Sequence, residues 1–506
     1  MTPDNTWGSV YWSDVIKEPA PHYPALQNDT TADVVVVGAG IVGLTTALRL
    51  IEAGKSVIVL EAARVGTQVT ARSTAKITSQ HGLLYRQLIE DFGESAAKLY
   101  ATANQAALAE IGQIIERHSI DCSFQHTSSY IYASTAHNME ALQSEAQAAA
   151  RLGLPARLTT DVPAPVNAGQ GLRFDDQAQF NPAQYLHGLA RAVSGRAALH
   201  EQSRVVKVES VDGRYRVHTA AGPSVHAGHV VVATHMPIVP EGKFFAKAFT
   251  FAHTALAAPL TSGVRVDGMF MNAGSPSYSF RTDTANGQTY LIAVGPTFKT
   301  GVQDEEMQSF ADLEAFVRQH FGVQSITHRW TNEDFQSMDG LPFIGCAESS
   351  HPHLYVAVGF NAWGITNGTV AGRLLSDSIL GRSNPYSRLF NATRINALEG
   401  ALDFLKGNLE SAKHMVADRF STKKEEELQK LQPGQAAVVR YNGKEVASYC
   451  DDNGALHTVS AVCTHMGCLV GWNPIDKSWD CPCHGSRFRY DGEVIHGPAT
   501  KPLKPV

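Results

Sequence analysis

Cysteine is scarce in this chain, seven in 506 residues, and no two of the seven are spaced Cys-x-x-Cys. A zinc ribbon built on two such knuckles is therefore disfavoured. Neither sign of charge dominates: 42 basic residues against 48 acidic ones leave a net charge of −6. That balance offers no nucleic-acid surface, and Lys423-Lys424 stands beside an acidic run, as on a solvated helix face. Met1 to Ala32 lacks both a charged-then-apolar leader pattern and a twin arginine. The longest apolar stretch, Val34 to Leu50, is broken by Gly38, Gly40 and Gly43 and is too interrupted for a membrane span. These absences, with the low cysteine content, predict a cytoplasmic protein without a transmembrane segment. Internal repeats and low-complexity tracts are missing as well.

The length predicts two to four domains, and 43% hydrophobic residues suffice for filled cores. Asp33-Val34-Val35-Val36-Val37 reads as a buried parallel strand. Gly38-Ala39-Gly40-Ile41-Val42-Gly43 then opens a helix over Leu44 to Ala53, closed by Gly54. A second strand, Ser56 to Leu60, ends in Glu61-Ala62. The first two glycines let the backbone turn and approach a pyrophosphate, and the third lets the helix pack on the strand. The helix N-terminus favours negative charge, and Glu61 is placed to accept hydrogen bonds from a ribose. This unit alone does not distinguish FAD from NAD. No second glycine-rich unit follows Gly43, so NADH is not expected as a direct donor. The pair Gly368 and Gly372 is read instead as a close helix contact.

The segments after this unit decide between the two cofactors by resemblance. Arg64 to Thr67 and Ala71-Arg72-Ser73-Thr74-Ala75-Lys76 resemble the second flavin-contact loop of the D-amino-acid oxidase, glycine oxidase and sarcosine oxidase superfamily. Glu201 to Val205 is similar to its adenine-side strand, and Val230 to Thr234 to its next core strand. Met338 to Gly345, then Tyr355 to Gly359 through Gly364-Ile365-Thr366, resemble its closing motif. The resemblance implies FAD held by Gly38, Gly40, Ile41, Val42, Gly43, Glu61, Ala62, Ser73, Thr74, Val205, Gly364, Ile365 and Thr366. It also implies that Phe249 to Phe298 forms antiparallel strands roofing the flavin. Arg281 then stands on a roof strand where relatives place a carboxylate-pairing arginine, or else is a surface arginine. Lys76 and His81 follow the flavin loop; His81 either adjusts substrate protonation or is satisfied by backbone. Thr331 to Ser337 has no cysteine, so FAD is expected to be noncovalent unless His81 serves.

Near the C-terminus, Cys463-Thr464-His465-Met466-Gly467-Cys468 and Cys481-Pro482-Cys483-His484-Gly485-Ser486 form two short metal-ligand loops. With Trp472-Asn473, Trp479-Asp480 and Gly497-Pro498 they resemble a Rieske iron-sulfur domain, in which two thiolates hold one iron and two imidazoles the other. The resemblance implies ligands Cys463, His465, Cys481 and His484, and a disulfide between Cys468 and Cys483. Respiratory relatives carry a tyrosine at the position of Phe488, whose hydroxyl donates to a ligating sulfur. Ser486, the donor to a bridging sulfide, is retained. One donor fewer predicts a potential below that of quinol-oxidising relatives.

The expected fold is an α/β FAD-binding, Rossmann-like domain interleaved with an antiparallel-sheet substrate region, plus a C-terminal all-β Rieske domain. Its divisions are an N-terminal extension at 1–31, the oxidoreductase at 32–385, a helical connector at 386–431 and the Rieske domain at 432–506. Asp91 to Arg117 reads as one long amphipathic helix of the substrate region. The superfamily removes hydride from carbon next to nitrogen, whereas a cluster accepts one electron at a time. This division of labour implies a dehydrogenase acting on a small amine or amino acid. Its external acceptor would be a protein or a quinone-like molecule, and no base is needed if the amine arrives neutral. Two rivals are an electron relay serving a partner oxygenase and a redox sensor using Cys468 and Cys483.

Overall fold

The computed structural model describes residues 8–394 and 423–506. The apolar run is the centre of its first sheet: Val34, Val35 and Val36 are fully buried. Strand Thr30–Val37 lies between Ser224–Val232 and Val57–Leu60, parallel to both, with Val34 opposite His229 and Val57. Covered on both faces, such a strand needs a continuous rather than alternating hydrophobic pattern. Ala198–His200 extends the sheet at one edge, and Leu354–Val358 followed by antiparallel Phe343–Cys346 at the other. Helix Ile41–Glu52 runs back from the glycine turn and packs on helix Gly364–Ile379. A Cβ on Gly368 would lie 2.7 Å from Ile41 and one on Gly372 2.6 Å from Thr45, so these glycines do set a close helix contact.

A second, nine-stranded sheet forms the roof. Ala248–Pro259 pairs antiparallel with Gln288–Phe298 and with His328–Ser337. Met269–Asn272 departs from the all-antiparallel expectation by pairing parallel to Gln125–Ala133. The helix expected over Asp91 to Arg117 is two, Tyr85–Phe92 and Glu94–Arg117. Gly93, at a left-handed φ of 81°, breaks them apart, a conformation that costs glycine little. Asn181 caps helix Pro182–Ser194, its Oδ1 accepting from the backbone N–H groups of Ala183 and Gln184.

The C-terminal region is all β, two four-stranded sheets of mostly antiparallel strands. Most of the expected connector lies outside the described residues; within them, Ser387–Phe390 is a short helix and Glu425–Lys430 a 3-10 helix of six residues. Among the described residues no helix is long and apolar enough to cross a membrane. The C-terminal domain is docked on the rest of the chain by backbone contact and buried charge. A Cβ on Gly471 would fall 1.9 Å from the Gly301 carbonyl oxygen. Asp476, buried, accepts two hydrogen bonds of 2.6 Å from Arg72, one of 2.8 Å from Arg487 and one of 2.6 Å from Thr331 Oγ1.

Candidate flavin and iron-sulfur sites

One cavity of about 490 Å³ runs from the glycine turn to the roof sheet. Its walls include Gly38, Gly40, Ile41, Val42, Glu61, Ala62, Ser73, Thr74, Val205, Gly364, Ile365 and Thr366. Gly43 lies beneath the turn: a Cβ there would sit 1.9 Å from the Gly38 carbonyl oxygen, and one on Gly38 would meet Ala233 O at 2.6 Å. Helix Ile41–Glu52 starts without a capping side chain of its own, only a long 3.4 Å contact from Ile41 N to Thr70 Oγ1, so its positive dipole end can face a ligand anion. Glu61 is held by the backbone N–H groups of Ala39 and Ala63, each at 2.8 Å. Burial nevertheless raises its pKa, which a hydrogen-bonding diol would offset. These features fit a dinucleotide. Replacing Gly43 with Ala forces overpacking of about 1–3 kcal/mol, so purified protein should retain FAD about 5- to 150-fold less, read by flavin absorbance.

The three polar candidates near the flavin loop part company. Lys76 lines the cavity and donates to Phe270 O at 2.8 Å and to Ser279 Oγ; burial and the neighbouring Arg281 lower its pKa to about 7. His81 also lines the cavity, yet both its nitrogens are engaged. Nδ1 accepts from Tyr100 OH at 2.7 Å, and Nε2 faces Thr78 O at 2.8 Å and Thr366 Oγ1 at 3.0 Å. Burial lowers its pKa to about 3, so it is a neutral, stacked wall against Trp363. Arg281 does not reach the cavity, and it is not a surface residue either. It is fully buried, donating to Thr74 O at 2.6 Å, Phe180 O at 2.7 Å and Thr282 O at 3.2 Å, with Trp12 over its guanidinium. Its strand turns that side chain beneath the flavin loop, where it braces Thr74. Trp12 Nε1 donates to Ser73 O at 2.7 Å, so the N-terminal segment supports the same loop.

The residues that face the cavity from the roof were not singled out from the sequence. Phe251, His253 and Ala255 are alternate positions of one strand, joined by Met271, Val294, Thr297 and Asn332. Period-two alternation within the expected roof was the available signal. The wall continues onto the C-terminal domain, with Ile495, His496, Gly497, Ala499 and Thr500.

The two C-terminal loops are backbone copies of each other. Cys463 N donates to Cys468 O and Gly467 N to Cys463 O, at 2.8 and 3.0 Å; Cys481 N donates to Ser486 O and Gly485 N to Cys481 O, again at 2.8 and 3.0 Å. Gly467 and Gly485 take matching left-handed turns. Cys468 and Cys483 form a disulfide, leaving Cys463 and Cys481 as facing thiols. The imidazoles of His465 and His484 stand 5.0 Å apart, nearly perpendicular. Each has a buried Nδ1 without a hydrogen-bond partner, the arrangement expected of metal-ligating nitrogens. Burial lowers both pKa values to about 4, so both rings are neutral, the form in which an imidazole can bind a metal. Two sulfurs and two unpartnered nitrogens fit a cluster with unlike irons.

Comparison with known proteins decides what these sites hold. The family model described as FAD dependent oxidoreductase matches residues 33–378, and that described as Rieske 2Fe-2S domain matches residues 421–506. The chain belongs to the FAD dependent oxidoreductase family. Its two cofactors are FAD and a Rieske 2Fe-2S cluster. This flavoprotein is 33% identical over 498 residues to a Bacillus subtilis protein, YhfW, whose name describes a Rieske 2Fe-2S iron-sulfur protein; the match covers 98% of this chain and 97% of the relative. Solved structures of glycine oxidase from Geobacillus kaustophilus (TM-score 0.59, 17% identity, 72% of this chain and 99% of that one) and L-proline dehydrogenase from P. horikoshii (TM-score 0.60, 16% identity, 73% and 98%) share its fold.

In this flavoprotein Phe488 is fully buried within the Rieske core, opposite Trp479. Ser486 Oγ accepts from Ala499 N at 3.0 Å, which leaves its own hydrogen for the cluster side. Phe488→Tyr should add one donor and raise the cluster midpoint potential by about 40 mV, from one hydrogen bond of about 1 kcal/mol in a one-electron couple. Redox titration followed by EPR measures it.

Proposed function

We propose that this oxidoreductase is a dehydrogenase that oxidises a C–N bond of an amine or amino acid and passes the electrons through the Rieske domain to an external acceptor. Per turnover, one secondary amine and one water give one carbonyl compound and one primary amine. The carbon loses its hydrogen as hydride, the C–N bond breaks on hydrolysis, and two electrons and two protons are released. FAD, when bound, supplies a two-electron acceptor, and the cluster a one-electron relay. The observation that carries this reading is the shared cavity: the glycine-turn residues, the roof residues and the Rieske residues Ile495 to Gly497 wall one space.

Each group has work in this scheme. Phe251, Ala255, Met271 and Val294 offer an apolar roof that excludes water from the reacting carbon. Lys76, with a pKa near 7, is placed to take a proton from an incoming ammonium, so that the amine reacts in its neutral form. His81, with both nitrogens engaged, acts as a wall and leaves FAD noncovalent. Cys463, His465, Cys481 and His484 hold the cluster, and the glycine-turn, Glu61, Ser73-Thr74, Val205 and Gly364 to Thr366 positions hold FAD. The fold shared with glycine oxidase and L-proline dehydrogenase supports C–N chemistry.

The test is anaerobic. Secondary amines, N-methyl amino acids and polyamines are added to the purified holoprotein while flavin bleaching and the reduced-cluster EPR signal are recorded. A compound that bleaches the flavin before the cluster signal grows supports the dehydrogenase. If none does, and reduced ferredoxin fills both centres, the protein is a relay for a partner oxygenase.

A further inference from the structure

Two histidines from different domains meet in the cavity wall. His235 follows strand Ser224–Val232 and is held at a left-handed φ of 67°, uncommon for a residue other than glycine and retained where surroundings enforce it. Its Nδ1 lies 3.3 Å from His496 Nε2 of the Rieske domain, and its Nε2 lies 3.1 Å from Asp334 Oδ1. His496 Nδ1 lies 2.9 Å from the Gly497 carbonyl oxygen. Both histidines line the flavin cavity. His496 also faces the backbone of Gly485, the residue after cluster ligand His484.

The chain ends in two acceptors: the Gly497 carbonyl, and the Asp334 carboxylate, which already accepts from the N–H groups of Phe335 at 2.7 Å and Ala362 at 2.6 Å. Its three contacts need one hydrogen each, whereas two neutral imidazoles carry only two. The satisfied chain therefore holds one extra proton, placed between the flavin cavity and the cluster loop. Burial, His235 and Arg487 oppose a second proton on His496, and the Asp334 carboxylate lies against His235 at the other end of the chain. Other ionisable groups surround the pair. Glu333 Oε2 is 3.8 Å from His496 Nδ1 and has no hydrogen-bond partner, Arg487 and Arg204 come from the Rieske side and the adenine side, and His253 faces Asp334 from the roof.

A proton site here answers a need of the chemistry. A hydride brings two electrons and one proton into the cavity, and the cluster removes only electrons. One proton must leave by another route for each pair of electrons passed on. We propose that the Asp334–His235–His496 chain is the proton-transfer site that takes this proton from the flavin cavity as the electrons cross to the cluster, Glu333 being the next acceptor. This rests on the reading that electrons run from flavin to cluster; it does not depend on which amine supplies them.

Photoreduction of the flavin in the holoprotein tests it without a substrate. The growth of the reduced-cluster signal is timed in H2O and in D2O, in the unaltered protein and in His235→Gln and His496→Gln, with FAD content and the cluster EPR line shape as controls for folding. Transfer in the unaltered protein is expected to show a solvent deuterium isotope effect and to slow about 100-fold in either variant, where general acid–base transfer is lost. Equal rates in H2O and D2O in the unaltered protein would overturn the proposal without needing any variant. So would variants with both cofactors intact that transfer at the unaltered rate. If the photoreduced flavin passes no electron to the cluster, the flavin-to-cluster reading itself fails, and the proposal with it.

Discussion

Asp476→Ala is expected to release the Rieske domain from the flavin loop. Asp476 is buried and accepts from Arg72 on the flavin loop, from Arg487 of its own domain and from Thr331 of the roof. Arg487 keeps Asp480 at 3.0 Å, but Arg72 loses its carboxylate, and removing one partner of a buried pair costs about 3–5 kcal/mol. Arg72 is itself in the cavity wall, and its main-chain carbonyl accepts from Trp330 Nε1 at 2.8 Å, so the loss should reach the cofactor. FAD content per chain and the midpoint of thermal unfolding should both fall. Asp476→Asn keeps the shape and drops the charge, and should fall less. The same contact sets an acid limit. Although burial opposes it, Arg72 and Arg487 hold the Asp476 pKa down to about 2. A carboxylate depressed below its unfolded value near 3.9 stabilises the fold above that value. Its contribution, about 2–3 kcal/mol, is lost as pH falls from about 4 to about 2. Acid unfolding followed by FAD fluorescence should show that limit in the unaltered protein and lack it in Asp476→Asn.

His484→Ala should separate the two half-reactions. If His484 Nδ1 is one of the two imidazole ligands, as its buried and unpartnered state supports, the reduced-cluster EPR signal should vanish together with most of the iron. The glycine turn and Glu61 are on other elements, so FAD content should persist. An amine substrate should then still bleach the flavin once, while turnover with an external acceptor falls by about 100-fold or more, the upper end of what disturbing ligand surroundings alone achieves. Unimpaired turnover in a variant shown to lack iron would mean that electrons bypass the cluster.

The cofactor motifs were legible because they are local. The proposed cluster ligands fall within 22 residues, from Cys463 to His484, and the glycine turn precedes Glu61 by a single helix and strand. Short-range geometry dictates such units: a thiol and an imidazole on one tight loop, a pyrophosphate on one helix N-terminus. Arg281 was less legible. Strand periodicity alone allows a residue to face the cavity or the layer beneath it, and here the layer beneath holds the free carbonyls of Thr74 and Phe180. A guanidinium buried without such acceptors would be costly. The helix expected over Asp91 to Arg117 stands over Glu94–Arg117 and differs only at its start, where the left-handed φ of Gly93 breaks the backbone.

The sequence by itself therefore determined the dinucleotide turn and the two iron-sulfur loops, because each is a short local motif, and it pointed to the family and to FAD through the order of dispersed segments from Arg64 to Thr366. Only the tertiary structure decided how the two halves meet. Asp476 finds Arg72 across 404 positions, and His235 finds His496 across 261. No periodicity or spacing encodes such contacts, since they arise from packing one finished domain on another. The Rieske side of the cavity wall, from Ile495 to Gly497, belongs to that packing.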